Sequence, residues 1–496
     1  MKISTRVLAL VIAAASFPFA QDTASPSWPN YAHDAHHSAV SAVAAQSLSN
    51  IHWSTPVDLD PPSGEIFIHY GSPLITAANT VIVPVKTGTN SFRVEAHKGS
   101  DGTLVWTQKT NYHAPSASFL PSFSPVLSHN RLYIPTAGGV VLVRENPDQP
   151  TGKTFRLVFY GLKNYNADPT TYDANVEINT PITVDSQGNI YFGFLVLGAT
   201  PVNLQSGLAR ISASEVGFWI SASSVAADSQ MTEVDMCSAP ALSRDESTLY
   251  LGVNGPSAGY GYLASLNSTT LNPIAAVRLK DPSSGMDAWI YDGSSASPTV
   301  GPDGDVYFGV LENPFPDHND RGWLLHFDST LTETKTPGSF GWDDTPSIVA
   351  ASLVSSYHGP SSYLLMTKYN NYKDIGTGNG VNKIAILDPN ATEADPIISS
   401  VEVMKEVITR TGLTPDPTLP AVREWCINTA AVDPISKSIL ANSEDGKLYR
   451  WDLTTNRLSQ KITLSSGIGE AYTPTVIGPD GTAYAINDAI LFAVGK

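Results

Sequence analysis

Short apolar runs recur along the chain, and a compact polar turn separates each run from the next. In the clearest copies a small residue and a proline precede the first run. A turn rich in Asp and Gly follows, and the second run carries Val, Ile, Tyr and Phe. Residues 179–194 (NTPITVDSQGNIYFGF) and 296–310 (ASPTVGPDGDVYFGV) show the pattern. Such runs, bounded by Gly and Asp, predict β-strands joined by tight hairpin turns.

The pattern repeats about every fifty residues, which is the length of one four-stranded propeller blade. Eight units fit between residue 71 and the C-terminus. Their proline or equivalent positions are Pro73, Pro125, Pro181, Pro240, Pro298, Pro346, Ala430 and Pro474. The sequence therefore predicts an all-β, eight-bladed β-propeller of four-stranded antiparallel blades. Seven blades is the alternative, because the stretch between Pro346 and Ala430 is long and irregular.

The last unit ends after only three strands. Residues 51–55 (IHWST) have strand character and supply the missing fourth strand. We therefore expect closure by an N-terminal strand, which leaves no exposed sheet edge. The predicted organisation is a signal peptide over 1–20, a lead-in segment over 21–48 and a single propeller domain over 49–496.

The first twenty residues have the features of a secretory signal: Lys2 and Arg6, an apolar run over 7–17, and a cleavage point near Ala20. The run is too short to span a bilayer, and no later segment is long and apolar enough. We expect a secreted monomer, extracellular or periplasmic. Cys237 and Cys426 lie in repeats that are not neighbours, which favours two buried thiols over a disulfide.

The net charge of −17, from 29 basic and 46 acidic residues, disfavours nucleic acid and anionic lipid as partners. A charged fraction of only 15% is typical of a well-packed protein.

The repeats, together with residues 27–41 (SWPNYAHDAHHSAVS), resemble the PQQ-repeat, quinoprotein alcohol dehydrogenase-like superfamily. The resemblance covers nearly the whole mature chain. It implies the propeller fold, while activity stays open because that superfamily contains both enzymes and assembly scaffolds.

A quinone dehydrogenase of this kind would use PQQ and a calcium ion. The sequence has no adjacent Cys-Cys pair and no haem motif, so no specific motif supports PQQ. Calcium is a candidate at the oxygen-rich run 317–320, although the spacing fits no standard calcium loop. No cofactor and no metal site is assigned.

Propeller topology places the connections that precede each inner strand on one face, where they are long and rich in acids, aromatics and amides. Residues that could act as base, acid or carboxylate-binding group there are the candidate catalytic residues His69, Tyr70, His113, Arg423 and Glu424. The candidate substrate-binding residues are Lys86, Asp287, Trp289, Trp342, Asp343, Asp344, Lys368, Tyr369 and Trp425.

Aromatic platforms mixed with carboxylates and amides suit sugar rings, which present an apolar face and a rim of hydroxyls. The leading hypothesis is a carbohydrate-active enzyme, a lyase or glycosidase for uronic-acid or rhamnose-containing polysaccharides or oligosaccharides. A PQQ-dependent dehydrogenase and a non-catalytic binding or assembly scaffold are the alternatives.

Two smaller features complete the expectations. His33, His36, His37 and Asp34 could bind a metal, but a flexible, solvated lead-in that packs on the propeller is favoured. Residues 404–420 are the best helical candidate and are expected to form a lid on the loop face.

Overall fold

A computed structural model describes residues 27–255, 259–290, 294–423, 425–466 and 468–496. The predicted signal peptide over 1–20 and the candidate residue Glu424 lie outside the described residues.

Eight antiparallel sheets form the molecule, and each is one blade of a β-propeller. Blade 1 consists of Leu74–Ile75, Thr80–Gly88, Ser91–Lys98 and Leu104–Lys109. Blade 2 consists of Val126–Ser128, Arg131–Pro135, Val140–Glu145 and Thr154–Val158. Blade 3 consists of Val176–Ile178 with Thr183–Val184, then Ile190–Val196, Gly207–Ile211 and Gly217–Ser221. Blade 4 consists of Glu233–Val234 with Ala241–Leu242, then Thr248–Gly255, Tyr260–Asn267 and Pro273–Arg278. Blade 5 consists of Thr299–Val300, Val306–Val310, Trp323–Phe327 and Thr334–Gly338. Blade 6 consists of Ser347–Ala350, Tyr363–Lys368, Lys383–Ala394 and Glu402–Thr411. Blades 7 and 8 consist of Ala431–Asp433, Ser438–Ser443, Lys447–Asp452 and Arg457–Thr463; and Val476–Ile477, Ala483–Asn487, Ile490–Gly495 and Asn50–Pro56.

The predicted count of eight blades is confirmed, and so is the closure by the N-terminal strand. Asn50–Pro56 pairs antiparallel with Ile490–Gly495, and Trp53 lies opposite Ala493. The second and third strands of the blades are almost continuously buried, as in Val306–Val310 and Trp323–Phe327. Their β-branched and aromatic side chains fill the space between neighbouring blades.

Within the described ranges, helical structure is confined to short connections. The α-helices are Leu162–Ala167, Pro169–Asn175 and Ala222–Ala226, and the 3₁₀ turns are Ala137–Gly139 and Ala351–Leu353. The helix predicted within 404–420 is wrong: Glu402–Thr411 is the outer strand of blade 6 and pairs with Lys383–Ala394. Its Val, Ile and Thr residues suit a strand, and that cross-strand pairing overrides the local helical preference.

The hydroxyl residue that precedes most of the repeat prolines has a structural role in the channel. Ser72 donates its backbone N–H to Ser124 Oγ at 3.0 Å, and Ser297 donates to Thr345 Oγ1 at 3.0 Å. Each hydroxyl thereby bonds one blade to its neighbour. This contact explains why a small hydroxyl residue recurs beside the proline.

The lead-in is not a solvated segment, which corrects the expectation of flexibility. Residues 27–48, which we call the belt, run beneath the inner strands at one end of the channel. Backbone N–H groups of seven inner strands donate to belt oxygens over 2.7 to 3.0 Å. The seven donors, one from each of blades 1 to 7, are Ile75, Leu127, Val184, Leu242, Val300, Ile348 and Val432. Gln46 completes the circuit by donating its N–H to the carbonyl of Gly481 in blade 8, at 2.8 Å.

The belt histidines are part of this closure. His36 Nδ1 donates to the Leu242 carbonyl at 2.8 Å, and His37 Nδ1 donates to the Pro298 carbonyl at 2.7 Å. Burial lowers the pKa of His37 to about 4, so the ring is neutral near pH 7. In the described part of the chain no three His, Cys, Asp or Glu side chains are grouped as a metal site would require.

Both cysteines, Cys237 and Cys426, are buried and are not joined in a disulfide. No helix within the described ranges has the length and apolarity needed to cross a membrane.

Candidate functional site

A cavity of about 490 Å³ lies at the end of the channel remote from the belt. Its walls come from the connections that precede the inner strands and from the ends of second strands. Five aromatic side chains line it: Phe67, Phe119, Trp342, Tyr372 and Tyr472. The ionisable and amide groups are His69, Asp320, Asp343, Lys368, Lys373, Asn382 and Asp416. This mixture of rings and polar groups is typical of a small-ligand pocket.

His69 is the most constrained ionisable group in the cavity wall. Its backbone forms a parallel bridge with Phe119, through the His69 N–H to Ser118 O at 2.9 Å and the Leu120 N–H to His69 O at 2.8 Å. Its ring stacks on Tyr472, with 4.3 Å between centroids, and packs against Phe119 at 4.8 Å. The imidazole therefore has a fixed position and orientation.

The hydrogen bonds around His69 assign the tautomer of its neutral ring. Nδ1 is 3.1 Å from Ser295 Oγ. The hydroxyl of Ser295 donates to Asp343 Oδ1 at 2.6 Å, so its oxygen is left to accept from the ring. The proton therefore resides on Nδ1, and Nε2 carries the lone pair.

Nε2 of His69 lies 3.6 Å from Asp343 Oδ2. Burial lowers the pKa of His69 below its ordinary value of 6.5; Asp343 opposes the shift and Lys368 adds to it. The ring is thus neutral near pH 7. When Nε2 takes up a proton, the carboxylate of Asp343 beside it stabilises the imidazolium that forms. That arrangement is suited to a general base.

Asp343 is held in an unusual backbone conformation. Its φ of 57° lies in the left-handed region, which only Gly, Asn and Asp adopt readily. Oδ1 accepts hydrogen bonds from the Ser295 N–H at 2.7 Å and from the Ser295 hydroxyl. These two hydrogen bonds fix the position of the carboxylate.

Lys368 supplies the positive charge of the cluster. It ends the second strand of blade 6, and its Nζ lies 3.9 Å from the same Oδ2 of Asp343 that faces His69. One carboxylate oxygen is therefore shared between a lysine and a neutral histidine. His69, Asp343 and Lys368 are called the channel-mouth cluster below.

Ser295 is not placed as a nucleophile, although Ser, His and Asp occur together. It is 1% exposed, its hydroxyl donates to Asp343, and it also accepts from Asn428 Nδ2 at 2.9 Å. In a catalytic triad the serine oxygen must instead be open to substrate. Ser295 orients the other two residues.

Four of the predicted site residues share the cavity: His69, Trp342, Asp343 and Lys368. Arg423 lies next to it in an adjoining cavity, where Nη1 is 3.4 Å from Asp416 Oδ2.

The other predicted residues lie elsewhere. Tyr70 and Lys86 both bond to the buried carboxylate of Asp58, at 3.1 and 2.8 Å. Asp287 is held by Arg278 and Lys280, which lower its pKa to about 2.

Three more predicted residues, Asp344, Tyr369 and Trp425, are fully buried. Burial raises the pKa of the Asp344 carboxyl well above its usual range. His113 is exposed and Trp289 is half-buried, and neither lines the cavity.

Ser295, Tyr472, Phe119 and Asn428 were not among the predicted site residues. A usable signal existed, because each lies within a few positions of the residue that begins an inner strand, as His69 and Asp343 do. Tyr31 of the belt was also missed. Its hydroxyl reaches Asn428 Oδ1 and lies 3.2 Å from Thr345 Oγ1. The belt therefore contacts residues that hold His69.

No protein-family model matches the chain, and no curated protein sequence matches it. Solved structures do share its fold. A europium-containing methanol dehydrogenase is 10% identical, with a TM-score of 0.56 over 93% of this chain and 89% of the other. The quinohemoprotein alcohol dehydrogenase from Comamonas testosteroni is 12% identical, with a TM-score of 0.51 over 96% and 82%.

Sqt1 of Saccharomyces cerevisiae is 11% identical, with a TM-score of 0.50 over 92% of this chain and 100% of the other. The expected similarity to quinoprotein-type propellers is thus confirmed for the fold. Identities this low show the fold alone.

The channel-mouth residues do not fit a PQQ group. PQQ is a flat tricarboxylate, and this cavity is lined by three carboxylates of its own, from Asp320, Asp343 and Asp416. The ring that stacks on Tyr472 is the protein's own imidazole of His69. Two lysines, Lys368 and Lys373, oppose these three carboxylates, so a group with three carboxylates of its own would face an excess of like charge. The filled stacking position also disfavours a planar cofactor.

Proposed function

We propose that this chain is a secreted glycan-degrading enzyme that cleaves at a uronate by β-elimination in the channel-mouth cavity. The observation that carries the proposal is the state of His69. Its Nδ1 is fixed by Ser295, its Nε2 faces a carboxylate 3.6 Å away, and burial keeps the ring neutral.

Elimination requires a base for the proton on the carbon next to the sugar carboxylate, and a cation for the enolate that forms. His69 Nε2 accepts that proton. The C–H electron pair forms the C=C bond while the adjacent C–O bond to the leaving sugar breaks. His69 then returns the proton to the leaving oxygen, so atoms and electrons balance.

Asp343 and Lys368 respond to the charge that moves. Before the transfer Asp343 faces Lys368 and a neutral imidazole. After it, the imidazolium provides the nearer positive partner for Asp343, and Lys368 faces the enolate oxygens. The shared oxygen of Asp343 therefore couples the two charge changes.

A glycosidase needs two carboxylates about 5–10 Å apart. Asp320 and Asp416 line the cavity together with Asp343, and Asp416 is paired with Arg423. The carboxylates predicted from the sequence contribute little to such a pair. Asp344 is buried and Asp287 is held by Arg278 and Lys280 away from the cavity. Of that predicted set, only Asp343 is a described residue that lines the cavity.

The test is incubation of the purified protein with a panel of uronate-containing polysaccharides, followed by the ultraviolet absorbance of the unsaturated uronide. We expect this absorbance with the wild type, and a loss of about 100-fold or more in His69→Gln. His129→Gln, an exposed histidine in a hairpin of blade 2, is the matched control and should retain the wild-type rate. Reducing ends without the absorbance would indicate hydrolysis, and glycan binding without products would indicate a binding protein; either result contradicts the proposal.

A further inference from the structure

A second cavity, of about 410 Å³, adjoins the first. The two share Phe67 and Asp416 as lining residues. We call the cavity that contains His69 the inner cavity and its neighbour the outer cavity. Each has the size of a small-ligand site, so together they accommodate more than one sugar unit.

Phe67 lies at the junction of the two cavities. It is 53% exposed, although the residues on either side of it, Ile66 and Ile68, are buried at 5% and 7%. The buried flanking side chains fix the backbone, and the phenyl ring is left facing solvent between the cavities. A rigid, exposed aromatic face of this kind is suited to stacking on a sugar ring.

The two cavities differ in charge. Among the described residues, the inner cavity has two lysines, Lys368 and Lys373, against the carboxylates of Asp320, Asp343 and Asp416. The outer cavity has the carboxylates of Glu65, Glu444 and Asp416 against one described cation, Arg423, which is paired with Asp416 at 3.4 Å. A second anionic sugar placed there would face an excess of negative charge.

The geometry points to a glycan in which the uronate cleaved in the inner cavity is joined to an uncharged sugar held in the outer cavity. This inference rests on the proposed function. It specifies the substrate class as a mixed glycan rather than a homopolymer of uronate. The exposed carboxylate of Glu65 would accept hydrogen bonds from the hydroxyls of the uncharged unit. Glu444 is buried and accepts from the Tyr472 hydroxyl at 2.8 Å, so it would contribute mainly its negative charge. Phe67 would stack on the ring that crosses the junction.

Binding and turnover are measured separately, so that this inference and the proposed function can fail independently. The His69→Gln protein is titrated by calorimetry with three probes of matched length. Two alternate a uronate with an uncharged sugar: oligosaccharides of rhamnogalacturonan and of hyaluronate. The third is oligogalacturonate, in which every unit is charged.

We expect at least one alternating probe to bind about tenfold more tightly than oligogalacturonate. Glu65→Gln and Glu444→Gln should each narrow that ratio by improving the binding of oligogalacturonate. Phe67→Ala should weaken the binding of the alternating oligosaccharides more than that of their disaccharides, because only the longer chain crosses the junction.

Equal or tighter binding of oligogalacturonate overturns the inference, as does a ratio that both glutamate substitutions leave unchanged. Absence of binding by all three probes also overturns it. If oligogalacturonate undergoes elimination at the same rate as the mixed glycans do, the inference is contradicted and the proposed function is not. Preferential binding of mixed glycans without turnover in the wild type would support the inferred binding preference and contradict the proposed function.

Discussion

The two ends of the channel use the same residue type in opposite ways. At the belt end, His37 is completely buried, and its Nδ1 proton satisfies a backbone carbonyl. At the mouth, His69 is also buried and neutral, but its basic nitrogen faces a carboxylate at the wall of a cavity. The contrast shows that burial alone does not separate the two histidines; what differs is the surroundings of the second ring nitrogen, which for His69 include a carboxylate at 3.6 Å.

The two ends also differ in hydrogen bonding and charge. The belt closes its end with a repeated set of backbone hydrogen bonds to the inner strands. The mouth contains a histidine and a lysine that share one carboxylate oxygen of Asp343. Stability is therefore expected to depend most on the first end, and proton transfer on the second.

The largest expected effect is a loss of stability caused by a substitution in the belt. Trp28 is completely buried, and its backbone exchanges two hydrogen bonds with Ile75. Trp28→Ala should lower the free energy of unfolding by about 3–5 kcal/mol, because the void in the belt leaves the inner strands without packing. Denaturant unfolding measures this change. Trp219→Ala, on an exposed outer strand, is the matched control, and an equal loss there would show that the belt has no special role.

An intermediate effect concerns the charge at the mouth. Asp343→Asn keeps the left-handed backbone accessible but removes the partner of the imidazolium, so kcat/KM should fall on the order of 100-fold. Asp343 raises the pKa of His69, and its removal must lower that pKa. Since the base must be unprotonated, the acidic limb of the pH–rate profile should move to lower pH.

Asp344→Asn is the control for this shift. Burial raises the pKa of the Asp344 carboxyl, and the charges that shift the pKa of His69 are those of Asp343 and Lys368, not that of Asp344. Its substitution should leave the acidic limb in place. If the acidic limb moves in Asp344→Asn, or stays in place in Asp343→Asn, then Asp343 is not the carboxylate that raises the pKa of His69.

The smallest expected effect tests whether a substitution in the belt changes the activity of the channel-mouth cluster. Tyr31 extends from the belt to Asn428, which in turn donates to Ser295 beside His69. Tyr31→Phe removes one buried hydroxyl, which costs about 1 kcal/mol of stability, and should reduce kcat a few-fold without changing KM. Tyr250→Phe removes a comparable buried hydroxyl that bonds to the Ser329 carbonyl, far from the mouth. A rate loss of equal size there would contradict the coupling.

The fold could be predicted largely from the sequence because each blade repeats one local pattern. The proline positions and the closing segment around Trp53 were readable for that reason. The belt could not be predicted as such, since its partners lie far along the chain and bond through backbone atoms that carry no sequence signal.

The site could be predicted only in part. His69 and Asp343 were found because they precede inner strands, but their neighbours Tyr70 and Asp344 were named with them and lie in other surroundings. Successive side chains of an extended segment point in opposite directions, and the sequence alone does not say which one faces the cavity. The contact between Ser295 and Asp343 joins different blades, so only the folded structure could reveal it.

The central claim is that His69 is a neutral base with its lone pair on Nε2. Long-range ¹⁵N–¹H NMR of histidine-labelled protein, assigned with His69→Gln, measures both the tautomer and the titration. The account predicts a proton on Nδ1 near neutral pH and a midpoint below the ordinary value of 6.5. A proton on Nε2, or a ring that is still charged above that value, would contradict it.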